Sequence, residues 1–243
     1  MTNISCSVEL IENSSCLSEI FHNCPYRILK TLEIVTYRPG QFICRQGQCQ
    51  NSLFVIIAGK VEVYYQAENG KKHLKYYFQE GAFLGELELY DKSPSSSYVR
   101  ALTQVKLFRI KREICLEWIN ADNHFCEYLF KQVSKKYYNY SLNTSKNLLY
   151  SAKYRICSYL ISFCAKHHQT NGVEIEFDKS KFTKLFTIST RNLNRTLHNL
   201  RDLNAIEIRK NSVLVKDVQV LKAIQEDCCI RDDAEIDDSS RFR

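Results

Sequence analysis

Between Lys179 and Lys216 the chain reads KSKFTKLFTISTRNLNRTLHNLRDLNAIEIRKNSVLVK, a pattern that few folds accept. Phe182, Leu185 and Phe186 fall at i, i+3 and i+4, which gives a first short helix one apolar side. Thr187 and Ile188 form a tight turn, and Ser189 or Thr190 caps a second helix by accepting its free N–H groups. In that helix Leu193, Leu197, Leu200 and Leu203 make a stripe that must face a core. At about 100° per residue, Arg191, Asn194, Arg195 and His198 fall on the other side. Ile206 and Ile208 then alternate with polar residues, Arg209–Ser212 turns the chain, and Val213 and Val215 alternate back. Two helices and a hairpin in this order predict a winged helix-turn-helix, whose second helix fits the major groove of DNA.

The outward side chains suit that partner. Arg, Asn and His carry donors and acceptors that match base edges and phosphates. The candidate contacts to double-stranded DNA are Ser189, Thr190, Arg191, Asn194, Arg195 and His198 on the helix, with Arg209 and Lys210 on the wing. The stretch holds nine Lys or Arg against Asp202 and Glu207 alone, as a phosphate backbone requires. A solvated helix pair in another α/β domain would explain the leucines but not this charge.

Upstream, from Leu32 to Ile110, the texture is that of strands. LEIVTY, QFICRQ, LFVIIAG, KVEVYYQ, HLKYYF, SYVRALT and VKLFRI are short and rich in β-branched and aromatic residues. Six of the seven glycines punctuate this region, and Asn69-Gly70 signals a two-residue hairpin. Many short antiparallel strands at this spacing predict a β-roll of the jelly-roll kind. Before them, Val8–Ile20 and Tyr26–Leu29 suit short helices.

After the strands, Arg112–Asn120 reads as a short helix and a long one starts at Asp122 or Asn123. Along the long helix Cys126, Leu129, Val133, Tyr137 and Tyr140 recur at three- and four-residue steps, with Phe130 beside them. The seam either packs on the β-roll or pairs with a second copy. A reader of two half-sites needs a two-fold axis, which favours a homodimer along this helix. Leu149, Ile156, Tyr159, Leu160 and Phe163 mark one more helix over 148–168, and Val173–Phe177 a strand able to pair with the wing. The expected architecture is therefore α+β. A β-roll sensor domain occupies 1–121, a dimerisation helix 122–147, a winged helix-turn-helix 148–224 and an acidic mobile tail 225–243.

Composition narrows the setting. No apolar run reaches the roughly 18–20 residues that span a bilayer, and the first thirty residues lack a basic-then-apolar signal. A cytoplasmic protein without a membrane partner is expected. Its odd count of eleven Cys argues for reduced thiols rather than a disulfide framework.

The order of parts resembles the Crp/Fnr family of bacterial transcription regulators. The likeness rests on PGQFICRQGQ (39–48), LFVIIAGKVEVYY (53–65), FLGELELYDKSPSSSYVRA (83–101) and TISTRNLNRTLHNLRDLNAI (187–206). FLGELELYDK is most similar to the YeiL-type branch. The resemblance implies a dimer that binds DNA and acts on RNA polymerase. It also implies base contacts from Thr190, Arg191 and Arg195, although the family has an acidic residue where Arg191 stands.

In members that bind cyclic nucleotides, a Gly-Glu pair opens a turn whose N–H groups hold the phosphate. The Glu takes a ribose hydroxyl, and an Arg-Ser pair downstream supplies the counter-charge. Gly85 and Glu86 match the first pair, and Leu87 follows. Counting back from Tyr98-Val99-Arg100-Ala101, the Arg position falls on Ser95 and its neighbour on Ser96. Loss of that guanidinium forfeits a charge-assisted bond of ~1.5–3 kcal/mol, so tight binding of cyclic AMP is not expected. Lys92 and Arg100 are the substitutes at hand. The adenine-contacting end of the long helix offers Tyr140 and Ser141. Together these seven residues, Gly85, Glu86, Leu87, Ser95, Ser96, Tyr140 and Ser141, are the candidate effector pocket.

Other chemistries remain as alternatives. An iron–sulfur or redox sensor would use Cys6, Cys16 and Cys24 with Cys44, Cys49, Cys115 or Cys126, but separations of ten and eight residues are unlike compact cluster motifs. An effector-independent architectural DNA-binding protein is the other. No resident cofactor or metal is expected. Only His73 lies in the strand region, and no phosphate loop or nucleophile elbow appears, so the chain reads as no enzyme.

Overall fold

LFVII, at residues 53–57, is buried at every position, and this makes one strand the divider between two cores. The computed structural model describes residues 4–167, 171–186 and 188–239. The chain divides into two units, Met1–Asn139 and Tyr140–Arg243.

The first unit opens with helices α1 (Ile4–Glu12), α2 (Ser15–Ile20) and α3 (Tyr26–Leu29). The helix expected over Val8–Ile20 is cut in two because Ser14 Oγ accepts the Leu17 N–H at 3.2 Å and starts α2 afresh. Eight strands follow: β1 (Glu33–Tyr37), β2 (Phe42–Cys44), β3 (Ser52–Ala58), β4 (Val61–Gln66), β5 (Lys72–Phe78), β6 (Phe83–Leu84), β7 (Tyr98–Ala101) and β8 (Val105–Lys111). They form two antiparallel sheets of order β1-β8-β3-β6 and β2-β7-β4-β5, the expected β-roll. Phe54 and Ile56 face Val63, Val99 and Leu107 between the sheets. Leu53, Val55 and Ile57 face the other way, toward Leu17, Ile20 and Trp118 of the helices. Burial on both faces turns the usual alternation into a continuous apolar run.

The β4–β5 hairpin corrects one expectation. Ala67 donates to the Lys71 carbonyl and Gly70 to the Ala67 carbonyl, both at 2.9 Å, so the loop is Glu68-Asn69-Gly70 rather than a two-residue turn. Gly70, at φ +78°, takes the left-handed position that closes such a three-residue loop.

Helices α4 (Arg112–Ala121) and α5 (Asn123–Leu149) come next. Asp122 joins them: its carboxylate accepts the Trp118 indole N–H at 3.1 Å and the Phe125 N–H at 3.3 Å. Trp118 and Phe125 stack flat, 3.5 Å between centroids. The boundary expected between a roll ending at 121 and a separate helix 122–147 is displaced. Phe125 and Leu129 bury themselves in the roll's helix-side core, so α5 belongs to the first unit through Asn139.

The second unit holds the rest of α5, then α6 (Ala152–Lys166), β9 (Val173–Glu176), α7 (Lys179–Phe186), α8 (Thr190–Asp202), β10 (Ile206–Ile208), β11 (Ser212–Val215) and α9 (Val218–Ser239). The helix expected from 148 begins at Ala152 because Ser151 caps it, its Oγ accepting the Tyr154 N–H at 3.3 Å. The sheet order is β10-β11-β9, with Val213 opposite Ile175 and Val215 opposite Val173, so β9 does pair with the wing. Thr187 of the expected turn lies outside the described residues. The tail expected from Gln225 is helical through Ser239. Val218, Leu221, Ile224 and Cys228 keep one apolar side against α6, and Gln225 Nε2 donates to Ser158 Oγ at 2.7 Å. The apolar spacing thus continues past the point where the acidic composition begins; residues 240–243 lie outside the described part.

Candidate nucleic-acid interface and β-roll pocket

Helix α8 starts where Ser189 Oγ accepts the Asn192 N–H at 3.2 Å. Leu193, Leu197 and Leu200 anchor it in the core together with Thr196. Leu203 and Leu185, expected in the apolar stripes, are 46% and 43% exposed, because each lies at a helix end where the stripe has rotated off the core. Thr190, Arg191, Arg195 and His198 are exposed and Asn194 is half-buried. Among the described residues neither Arg191 nor Arg195 has a carboxylate partner. Arg195 instead donates to Asn192 Oδ1 at 3.2 Å, which steers its guanidinium along the outer face. The sequence reading passed over Asn192, since a polar residue in the first turn of a helix carries no periodic signal.

The wing departs from expectation at Arg209. Its guanidinium donates to Glu207 and to Glu174 across the sheet, both at 3.0 Å, so it braces the wing. Glu174 also accepts from Ser212, and these bonds, from Ser212 and then Arg209, hold its carboxyl below the usual range. Lys210 beside it is exposed. A second arginine, Arg155, was not anticipated. Its Nη1 donates to the Phe186 carbonyl at 2.7 Å and to Asn147 Oδ1 at 2.5 Å, tying the last residue of α7 to the end of α5. Among the described residues its Nε is buried without a partner, and burial lowers its pKa.

The α5 seam divides. Cys126, Phe130 and Tyr137 are exposed, the last two by 72% and 74%, while Val133 is half-buried. Leu129 is only 7% exposed and packs into the roll, so it leaves the candidate dimer face. Phe125 and Leu129 serve the roll, while Cys126, Phe130 and Tyr137 on the next stripe around the helix stay exposed.

In the roll, Gly85 stands at φ +85°, and a Cβ there would lie 2.7 Å from the Ser52 carbonyl oxygen. Only glycine fits. Glu86 accepts a 2.8 Å ion pair from Lys136 Nζ, which also donates to the Phe83 carbonyl at 2.8 Å and lies 4.4 Å over the Phe78 ring. Sequence reasoning missed Lys136, fifty residues downstream. Leu87 is 62% exposed. Ser95 is buried and spent on the chain: its N–H goes to Gln48 at 2.9 Å, its carbonyl accepts from Gly47 at 2.8 Å and its hydroxyl donates to Ser97 at 3.1 Å. Ser96 N–H donates to Glu88 Oε1 at 3.1 Å. Arg100 is no substitute counter-charge, since it is ion-paired with the buried Glu62 on the adjacent strand. Tyr140 and Ser141 fall in the second unit, half-buried and exposed.

Burial pushes the thiols of Cys24, Cys115 and Cys157 up to about 12 and that of Cys44 to about 11, so these four are protonated at neutral pH. Among the described residues no three His, Cys, Asp or Glu converge on a metal-binding group, and no helix is long and apolar enough to cross a membrane.

Residues 34–122 match the cyclic nucleotide-binding domain family. The chain is 21% identical over 198 residues to the CRP-like cAMP-activated global transcriptional regulator of Mycobacterium tuberculosis, covering 80% of this chain and 88% of that one. Over these stretches the chain is similar to Crp/Fnr-type transcription regulators. Two solved structures share its fold. The c-di-GMP responsive global regulator CLP of Xanthomonas campestris superposes with a TM-score of 0.66 at 20% identity, over 78% of this chain and 96% of that one. A CRP/FNR-family transcriptional regulator from Thermus thermophilus does so at 0.59 and 15%, over 80% and 98%. None of these relatives separates a YeiL-type branch from the rest of the Crp/Fnr family.

Proposed function

We propose that this Crp/Fnr-type regulator is a homodimer that binds double-stranded DNA in a sequence-specific manner, with α8 in the major groove. The observation that carries this reading is the outer face of α8. There Thr190, Arg191, Arg195 and His198 stand exposed on a helix anchored by three buried leucines, with both arginines free of carboxylates among the described residues. Exposed guanidiniums on a rigid helix suit bidentate contacts to guanine and contacts to phosphate. Arg191, in place of the family's acidic residue, points to an operator different from the family's usual one. The stripe of exposed Cys126, Phe130 and Tyr137 with half-buried Val133 supports pairing of two copies along α5, as a two-fold reader needs. Action on RNA polymerase follows from the family likeness, and no catalytic role is proposed.

The β-roll is the sensing part, and its effector is not cyclic AMP, because Ser95 stands where the counter-charge to a cyclic phosphate belongs and Arg100 is engaged elsewhere. Selection of bound sequences from a random DNA pool tests the whole reading. The expected consensus is two half-sites related by a two-fold axis and separated by about one helical turn, roughly 10 bp centre to centre. Failure to enrich any sequence would reject it.

A further inference from the structure

The turn after Gly85 does more than lack a counter-charge. Glu88 is 7% exposed, and its Oε1 accepts the N–H of Ser96, the residue at the serine position of the expected phosphate-binding pair. A buried carboxylate needs donors, and Glu88 takes this one at the position that the family likeness gives to the phosphate-binding pair. Its negative charge is felt by Lys75 of β5 and by the Cys44 thiol of β2, in the same sheet of the roll. Glu86 is already matched by Lys136, and the Ser95 hydroxyl is turned onto the Ser97 carbonyl. A phosphodiester entering here would meet a fixed carboxylate in place of a free N–H and a guanidinium.

We infer that Glu88 is a built-in anion, a side chain that occupies the anion seat of the β-roll and closes it to cyclic nucleotides and other phosphodiesters. The inference rests on the reading of the roll as a sensing domain but not on DNA binding. It assigns to Glu88 a specificity role that the missing arginine alone would not require. A ligand of this pocket accordingly carries no phosphate.

The two explanations separate by mutation. Full-length wild type, Ser95→Arg, Glu88→Gly and the double variant are titrated with cyclic AMP and cyclic GMP by calorimetry, without DNA. Circular dichroism and melting temperature establish that each is folded. With Glu88 resident, the arginine of Ser95→Arg pairs with it, and that variant binds no better than wild type. The double variant gains roughly ten- to a hundred-fold over Ser95→Arg, the factor that corresponds to a charge-assisted hydrogen bond. If Ser95→Arg alone binds as tightly as the double variant, Glu88 is a bystander and the inference is wrong. A folded double variant without gain, or micromolar binding by wild type, overturns it equally. DNA affinity of the same four proteins reports on the regulator reading by itself.

Discussion

The outer face of α8 and the turn after Gly85 treat charge in opposite ways. On α8, Arg191 and Arg195 stand exposed without carboxylates among the described residues. In the β-roll, Glu86 is held by Lys136, Glu62 by Arg100 and Glu88 by a backbone N–H, all within one chain. Charges left unmatched on a rigid surface retain their hydration and can exchange it for a partner's phosphates. Charges matched inside have already been desolvated, and removing one member strands the other. Under the proposed function the two surfaces have different tasks: one is open to a polyanion, the other is closed to small anions.

This contrast can be broken by mutation. Lys136→Ala should have the largest effect, destabilising the first unit by about 3–5 kcal/mol, because it leaves Glu86 buried without its partner. Pairing Lys136→Met with Glu86→Gln should restore most of the loss in denaturant titrations; no recovery would mean that the ion pair is incidental. Next, Leu193→Ala should cost about 2–5 kcal/mol, since Leu193 is fully buried under the exposed face of α8. Hydrogen exchange should place that loss in the second unit, with the β-roll amides unaffected. Arg195→Ala should leave the melting temperature almost unchanged yet weaken operator binding by ~1–3 kcal/mol and relax one base position. An unchanged affinity and footprint would remove Arg195 from the readout.

The smallest effect concerns the wing. The Glu174 carboxyl is held below its usual range by Ser212 and Arg209, so its contribution is present above the unfolded carboxylate pKa and fades as pH falls through the folded value. Wild type and Arg209→Ala should therefore differ slightly in melting temperature at neutral pH and converge in acid. A difference that persists at low pH would assign the brace to packing instead.

Much of this was legible in the amino-acid order, and the exceptions share a cause. LEIVTY, KVEVYYQ and VKLFRI became strands β1, β4 and β8 because local propensity and the tertiary environment agree. Leu193, Leu197 and Leu200 became the buried stripe for the same reason. What escaped was set by residues far apart in sequence. Lys136 meets Glu86 fifty positions away, Arg209 meets Glu174 across a sheet, and Arg155 reaches the carbonyl of Phe186. No periodicity records such partners. Leu129 shows the limit from the other side: a heptad-like spacing gave the seam, but only the position of the roll decides which stripe of the helix it covers. Composition misled at Gln225, where acidity suggested a tail while Ile224 and Cys228 continued the apolar side of α9.

One titration addresses both surfaces together: the affinity of the full-length wild-type protein for its selected operator, measured with and without millimolar cyclic AMP. If α8 reads DNA and Glu88 closes the roll, the operator binds tightly and equally in both conditions. A rise of about tenfold or more on adding cyclic AMP, which is about 1.4 kcal/mol of coupling, would contradict the account.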